Sequence, residues 1–245
     1  MLKKLFRSSS SAIPYYEFSL FQPSRGGLRH AVFTRNSKTV FTPNTHTINP
    51  KPIQKILETD ARPFLLKKQL HGTDAWIIKE EDKRSELAQN GDILITALSE
   101  TPLVIRIADC ASILLFDPEK KIIANVHAGW RGLAQRIIRH VLQTLNERFG
   151  CRSENILAAI SPTLGPCCSQ FSNPKEELPK FLHQYILEEN MVDLWSIIEG
   201  QLRECGVLKD HVENPRVCTM CNSEEFFSYR RDGDLGRFGT AIMLK

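Results

Sequence analysis

The stretch that most constrains this chain runs from Pro102 to Gly132, PLVIRIADCASILLFDPEKKIIANVHAGWRG. Apolar runs at 103–108 and 113–116 flank Asp109 and Cys110, and a third run at 122–126 ends at His127. Asp117-Pro118-Glu119-Lys120 lies between the last two and is the kind of Asp/Pro cluster that reverses a chain, so the segment reads as a hairpin. With Phe116 and Lys121 as the closing pair, an antiparallel register sets Cys110 directly across from His127, on one face and about 5 Å apart. An ionisable sulfur beside an imidazole is either half of a metal site or a nucleophile and its base. The register alone leaves both open.

No linker, repeat or low-complexity block divides the 245 residues. The chain reads as an N-terminal segment, 1–27, with one strand, followed by a single domain over 28–245. No apolar run approaches the ~18 residues of a membrane span, so no membrane partner is expected. The net charge of +4 is scattered rather than gathered in a tract. That argues against nucleic acid, while an anionic small substrate needs only two or three of these side chains. In MLKKLFRSSSSAIP a serine run stands where a secretory signal has its apolar region, and the expected location is cytoplasmic. Seven cysteines, an odd number in a chain this long, are expected as reduced thiols.

Along the chain, strands are expected at Tyr15–Phe21, His30–Thr34, Pro63–Leu66, Ala75–Lys79, Ile93–Thr96, Ile156–Ile160, Val217–Cys218, Phe226–Arg230 and Thr240–Leu244, besides the central hairpin. The Thr-, Asn- and Pro-rich run from Asn36 to Pro52 reads as a long surface loop. Ile53–Glu58, Lys175–Glu189 and Leu194–Glu204 read as helices. So does the run carrying Leu133, Ile137, Ile138, Val141, Leu142 and Leu145 at helical spacing, with Gly150 as its stop. Its start after Gly129-Trp130-Arg131-Gly132 would bring amide donors and Arg131 near His127, a place for an anion. Strands outnumber helices without strict alternation, which predicts an α+β fold rather than a doubly wound one.

No GxSxG, P-loop or GxGxxG occurs. The Cys218-Thr219-Met220-Cys221 motif lacks a second pair at similar spacing and is discounted as a zinc site, while vicinal Cys167 and Cys168 read as small hydrophobes in a tight loop. His71, in the turn after Lys68-Gln69-Leu70, completes a more specific set. Two imidazoles and a thiolate, His71, Cys110 and His127, are the number and kind of ligand that hold a catalytic zinc and leave its fourth position open. A buried free cysteine with two unrelated histidines is the plainer alternative.

Gln69-Leu70-His71-Gly72, Gly91-Asp92-Ile93-Leu94-Ile95-Thr96, Ala108-Asp109-Cys110, His127-Ala128-Gly129-Trp130-Arg131-Gly132, Gly165-Pro166-Cys167-Cys168 and Phe226-Phe227-Ser228-Tyr229-Arg230-Arg231-Asp232-Gly233 stand in the order found in the YfiH-like family, which the chain resembles from about residue 28 onward. This family was formerly called multicopper polyphenol oxidase, or laccase-domain proteins. It is now described as zinc-dependent purine nucleoside phosphorylases with adenosine deaminase and methylthioadenosine phosphorylase activity. The resemblance implies a mixed β-sandwich flanked by helices, similar to a toxin deamidase, with residues 28–245 as the catalytic domain. It implies His71, Cys110 and His127 as metal ligands, zinc rather than copper as cofactor, and purine nucleosides and orthophosphate as substrates. Arg35 and Arg131 are candidates for phosphate or transition-state charge. Asp109 and Asp92 are expected to hold neighbours in place rather than bind metal. A monomer or small homo-oligomer is expected.

The chain departs from the family pattern at Ala111-Ser112, where a proline usually follows, at the loop after Thr34-Arg35-Asn36, and at Ser169-Gln170, where an aromatic and a glutamate are usual. Three alternatives stand beside the phosphorylase reading. They are a copper polyphenol oxidase, for which two imidazoles and one thiolate are too few ligands; a metal-free hydrolase with Cys110 as nucleophile and His127 as base; and a factor that edits peptidoglycan precursors.

Overall fold

The hairpin strands Ala111–Asp117 and Ile122–Ala128 are buried at every residue, which requires apolar layers on both of their faces. The computed structural model describes residues 6–7, 13–21, 27–37, 48–84 and 89–245 and supplies those layers. Among the described residues the strands are β1 (Phe6–Arg7), β2 (Tyr15–Glu17), β3 (Leu28–Phe33), β4 (Phe64–Leu65), β5 (Ala75–Ile77), β6 (Ile93–Thr96), β7 (Leu103–Ile107), β8 (Ala111–Asp117), β9 (Ile122–Ala128), β10 (Leu157–Ile160), β11 (Val212–Glu213) and β12 (Phe238–Leu244). They form two six-stranded sheets, β1-β2-β3-β12-β7-β4 and β11-β10-β8-β9-β6-β5. Most neighbours are antiparallel, while β4–β7, β5–β6 and β10–β11 are parallel. Both sheets are therefore mixed, as expected of the sandwich.

Between the sheets, Val32, Ile105, Phe238 and Ile242 of the first meet Leu94, Leu114, Phe116 and Ile123 of the second. The outer face of the second sheet packs on helices α3 (Ile137–Phe149) and α5 (Leu194–Glu204) through Ile138, Val141, Ile197 and Leu202. The outer face of the first packs on α1 (Lys51–Leu57) through Ile53, Ile56 and Leu57. Helices α2 (Trp130–Ala134), α4 (Pro174–Glu177) and α6 (Tyr229–Asp232) are single turns or little more. The N-terminal segment is part of the first sheet. It contributes β1 and β2, and its expected strand stops at Glu17, Ser19–Phe21 being a 3-10 turn.

Five local expectations are corrected. The closing pairs of the hairpin are Phe116–Ile123 and Asp117–Ile122, two positions beyond the expected register, so Ser112 rather than Cys110 faces His127. Asp117 is the cause: its Oδ1 accepts the Glu119 and Lys120 amides (2.9 Å each), and Lys121 turns in the left-handed region (φ 55°), which makes a four-residue loop. Cys110 therefore lies just outside the strand. The long helix predicted after Trp130 is broken by left-handed Arg136 (φ 58°) into α2 and α3, and only its stop at Gly150 (φ 67°) falls where expected. Lys175–Glu189 holds only α4 and short 3-10 turns after Pro179, and Phe226–Arg230 is not a strand, since Ser228 caps α6 by accepting the Arg231 amide. Val217–Cys218 makes only an isolated bridge, Thr163 to Cys218. Most of the predicted surface loop, 38–47, lies outside the described residues.

A polar cluster ties the two sheets. Ser112 Oγ donates to Asn125 Oδ1 (2.6 Å) and lies 2.5 Å from Thr240 Oγ1, while Asn125 Nδ2 donates to the carbonyls of Leu103 and Thr240 (3.1 and 3.2 Å). The Ser112 amide donates to Ser161 Oγ (2.9 Å), a bond that a proline at this position could not make. Among the described residues no helix is long and apolar enough to cross a membrane.

His30 on β3 is 5% exposed, packs between Phe18 and Phe21, and accepts the Phe18 amide at Nε2 (2.7 Å). Burial pushes its pKa down to about 3. The penalty of holding it neutral is absent above the unfolded value near 6.5 and grows by about 1.4 kcal/mol per unit as the pH falls toward the folded value. Denaturant unfolding of wild type and His30→Gln between pH 7 and 4 should show a steeper acid loss in the wild type; identical slopes would refute this.

Candidate metal centre and substrate cleft

The site grows from one carboxylate. Asp92, fully buried at the start of β6, accepts the backbone amides of Leu70, His71 and Gly72 (3.2, 2.9 and 2.7 Å), and its Oδ1 lies 2.8 Å from His127 Nδ1. It thus holds the turn that carries His71, which adopts φ 60°, and leaves Nε2 as the free nitrogen of the His127 ring. Gln69 fixes the same turn from the other side. Its side chain pairs with the backbone of Arg106 on β7, Nε2 to the carbonyl at 2.8 Å and Oε1 from the amide at 3.1 Å.

Cys110 reaches the histidines because Gly129 has no side chain. A Cβ there would sit 2.9 Å from Cys110 Sγ and 3.0 Å from the His71 ring. The donor atoms of His71, Cys110 and His127 all lie within 4.8 Å of one another, and the two rings meet edge to face with centroids 4.8 Å apart. Burial alone would raise the Cys110 thiol, but the charge and hydrogen bond of His127, joined by His71, hold it below its ordinary value. Burial likewise opposes charge on His127, and Cys110 and Asp92 together raise its pKa. Asp92 itself is held low: burial works against its ionisation, and the His127 side chain and the Gly72 and His71 amides outweigh it. A thiol easily ionised beside two oriented imidazoles is a donor set that suits zinc, with three ligands and an open fourth position.

Asp109 positions Cys110. Left-handed at φ 85°, it accepts Thr219 Oγ1 (2.6 Å) and the Arg230 amide (2.8 Å) on its carboxylate, and the Leu164 amide (2.9 Å) on its carbonyl, to which the Thr163 hydroxyl also donates. Every oxygen of Asp109 therefore has a partner in the surrounding loops.

The three donors lie on the floor of an open cleft of about 1160 Å³. Lys67, Lys68, Arg106, Arg131, Arg230 and Arg237 line it, against the carboxylates of Asp109 and Asp234, so the field in the cleft favours an anion. Trp130, Leu164 and Tyr229 supply apolar wall. Exposed Arg131 stacks on Trp130, 4.3 Å from the ring centroid. Arg35 is not among the lining residues; its guanidinium donates to the Ser223 carbonyl (2.6 Å) and stacks over Phe227. The five other cations were not singled out from the sequence, though Arg230 lies in the Phe226–Gly233 motif quoted for its resemblance. A further departure from the sequence reading is that Cys218-x-x-Cys221 does have a second pair: Cys167 and Cys168, about fifty residues earlier, converge on it.

A two-sheet α+β fold flanked by helices defines the class, and the comparisons agree on the fold. The family model described as multi-copper polyphenol oxidoreductase laccase matches residues 42–245, and the chain belongs to that family. Over 181 residues it is 31% identical to the purine nucleoside phosphorylase of Bacteroides thetaiotaomicron, covering 70% of this chain and 67% of that one. It is 28% identical to the human purine nucleoside phosphorylase LACC1 over 98% of this chain but only 57% of the relative's length. It is also 28% identical to an adenosine deaminase, RL5, from an unknown prokaryotic organism, over 77% of this chain and 78% of that one. The crystal structure of the hypothetical protein YfiH of Bacillus licheniformis superposes with a TM-score of 0.82 at 21% identity, covering 98% of this chain and 99% of that one, and shares the fold.

Since Asp92 grips both histidine elements, Asp92→Asn should weaken Zn²⁺ binding about 10–100-fold, read by competition with a chelating dye. Gly129→Ala should weaken it as well, by driving Cys110 and His71 apart. Unchanged affinity in both variants would contradict this account of the site.

Proposed function

We propose that this chain is a zinc-dependent purine nucleoside phosphorylase that also deaminates adenosine. The observation that carries the proposal is the pairing of the His71, Cys110 and His127 donor set with a cleft wall rich in cations. The phosphorylase and deaminase relatives support the same reading. His71, Cys110 and His127 would hold a zinc ion, which would supply Lewis acidity toward an oxygen of water or phosphate. The multi-copper name of the family asks for more nitrogen ligands. Among the described residues the groups able to hold a metal are this set and an all-cysteine one.

The protein's own residues do the binding and orienting. Arg131, exposed and held flat against Trp130, offers guanidinium donors to orthophosphate, with Lys67, Lys68 and Arg237 adding charge around it. Trp130 and Tyr229 present aromatic faces to a purine. In phosphorolysis a phosphate oxygen bonds to the anomeric carbon as the glycosidic bond breaks, and the base leaves with that electron pair and takes up a proton. In deamination, water adds at the amino-bearing carbon of adenine and ammonia leaves. Asp92 keeps both histidines aligned throughout, and Asp109 keeps Cys110 in place.

Purified protein incubated with adenosine, inosine and methylthioadenosine, with and without phosphate, tests the reading by chromatography of products. Free base released only with phosphate is the expected result, with inosine formed from adenosine in its absence; base release indifferent to phosphate would overturn phosphorolysis. Arg131→Ala should raise the KM for phosphate about tenfold or more with a smaller change in kcat, as expected for loss of a charge-assisted hydrogen bond. Cys110→Ala should lose both activities, and a fully active Cys110→Ala protein would sink the proposal.

A further inference from the structure

Behind the cleft wall, two loops bring four cysteine sulfurs together. Cys167 and Cys168 sit in the turn closed by the Cys168 amide on the Gly165 carbonyl (2.9 Å), and Cys218 and Cys221 occupy the turn that follows the Thr163–Cys218 bridge. Cys221 Sγ lies 3.5 Å from Cys167 Sγ and 3.4 Å from Cys168 Sγ, and all four sulfurs fall within 4.8 Å of one another. These separations exceed the ~2.05 Å of a disulfide. They lie close to the ~3.8 Å between sulfurs that share one tetrahedral ion at Zn–S distances of ~2.3 Å.

We propose that Cys167, Cys168, Cys218 and Cys221 form a second, structural metal site that takes a single zinc-class ion through four thiolates. The donor chemistry is all sulfur, which selects soft tetrahedral ions over calcium or magnesium. Sulfurs this close enclose one ion rather than a multinuclear iron–sulfur core, whose extra atoms would force them apart. The surroundings of Cys218 suit a thiolate, while burial raises the Cys167 and Cys168 thiols, which a metal would have to deprotonate. The Gly165 amide donates to Cys218 Sγ (3.3 Å), as does that of Cys221, the amide-to-sulfur pattern of a turn wrapped around a metal-bound thiolate. A Cβ at Gly165 would strike the Trp195 ring at 2.7 Å and lie 3.1 Å from the Cys218 Cβ, so the glycine lets this turn sit against both α5 and the Cys218 loop.

Two arginines tie the loops that carry the sulfurs, Arg231 being itself paired with the Asp232 carboxylate. Arg230 donates to the carbonyls of Cys168 and Gln170 (3.0 and 2.6 Å), and Arg231 to those of Thr219 and Met220 (3.1 and 2.8 Å). The site would act as a brace. Its loops carry Thr163 and Leu164, which line the cleft, and Thr219, which holds the Asp109 carboxylate next to Cys110. A metal there fixes the wall and the Cys110 corner without touching substrate. This inference does not depend on the proposed activity, and its test removes the other metal set.

Cys110→Ala, purified under reductant, loaded with Zn²⁺ and desalted, should retain about one Zn²⁺ per chain by elemental analysis. Adding Cys221→Ser or Cys168→Ser should remove it. With Co²⁺ in place of Zn²⁺, Cys110→Ala should show strong sulfur-to-cobalt charge transfer that the double variant loses. Should Cys110→Ala fail to fold by circular dichroism, His71→Ala on its turn serves the same purpose. A folded, reduced Cys110→Ala or His71→Ala protein that binds no Zn²⁺ overturns the inference. So does a wild type whose denatured form titrates with fewer than its seven thiols because these cysteines are cross-linked.

Discussion

The grip of Asp92 on both histidine elements is the interaction on which the rest depends. Its carboxylate is buried, and a buried charge is tolerable only with several donors around it. Three consecutive amides of the 70–72 turn and the His127 ring are those donors. The arrangement explains why a left-handed histidine is held at φ 60°, a conformation that a non-glycine residue keeps only when its surroundings over-determine it. It also explains the neighbouring glycine. Gly91 has φ 151°, and a Cβ there would press to 2.8 Å from the Asp74 carbonyl, which accepts the Asp92 and Ile93 amides. Close backbone approach at Gly91 and burial of Asp92 are two halves of one constraint.

From Asp92 the dependence runs outward in two directions. Through His127 it reaches β9, at the centre of a sheet covered on both faces, so the deepest ligand is held by a strand buried along its whole length. Through the 70–72 turn and Gln69 it reaches Arg106 on β7, in the opposite sheet. The site therefore spans the open end of the sandwich, where the Ser112–Asn125–Thr240 cluster keeps the sheets in register a few residues below. Ser112 departs from the family's usual proline, and it works in this inter-sheet network rather than in the cleft.

Much of this was legible in the residues. The apolar runs around Asp109–Cys110 and His127 predicted adjacent strands, and the helical spacing of Ile137 to Leu145 predicted α3 with its Gly150 stop. The three-donor set was named from residue type together with the family resemblance. Register was not legible at the level of two residues, because it turned on whether Asp117 would close the loop with its side chain, a local competition that hydrophobic pattern does not report. The error left the chemistry intact because a shift of two keeps the same face. Arg35 illustrates the opposite case. It was named with Arg131 as a candidate for phosphate charge; its guanidinium meets the Ser223 carbonyl and the Phe227 ring, contacts that no local sequence pattern reports.

The cysteine quartet was missed for a reason that applies beyond this chain. Spacing rules for metal sites presume that each half of a tetrahedral set is a Cys-x-x-Cys turn, because that turn aims both sulfurs at one point. Vicinal cysteines usually point apart, so Cys167-Cys168 did not register as a half-site. The turn after Gly165 changes this by folding both sulfurs toward Cys221, and Gly165 lets that turn pack closely on Trp195 and the Cys218 loop. Gly129 does the same for Cys110 and His71. In both places a glycine at the contact between two loops is what turns separated donors into a set.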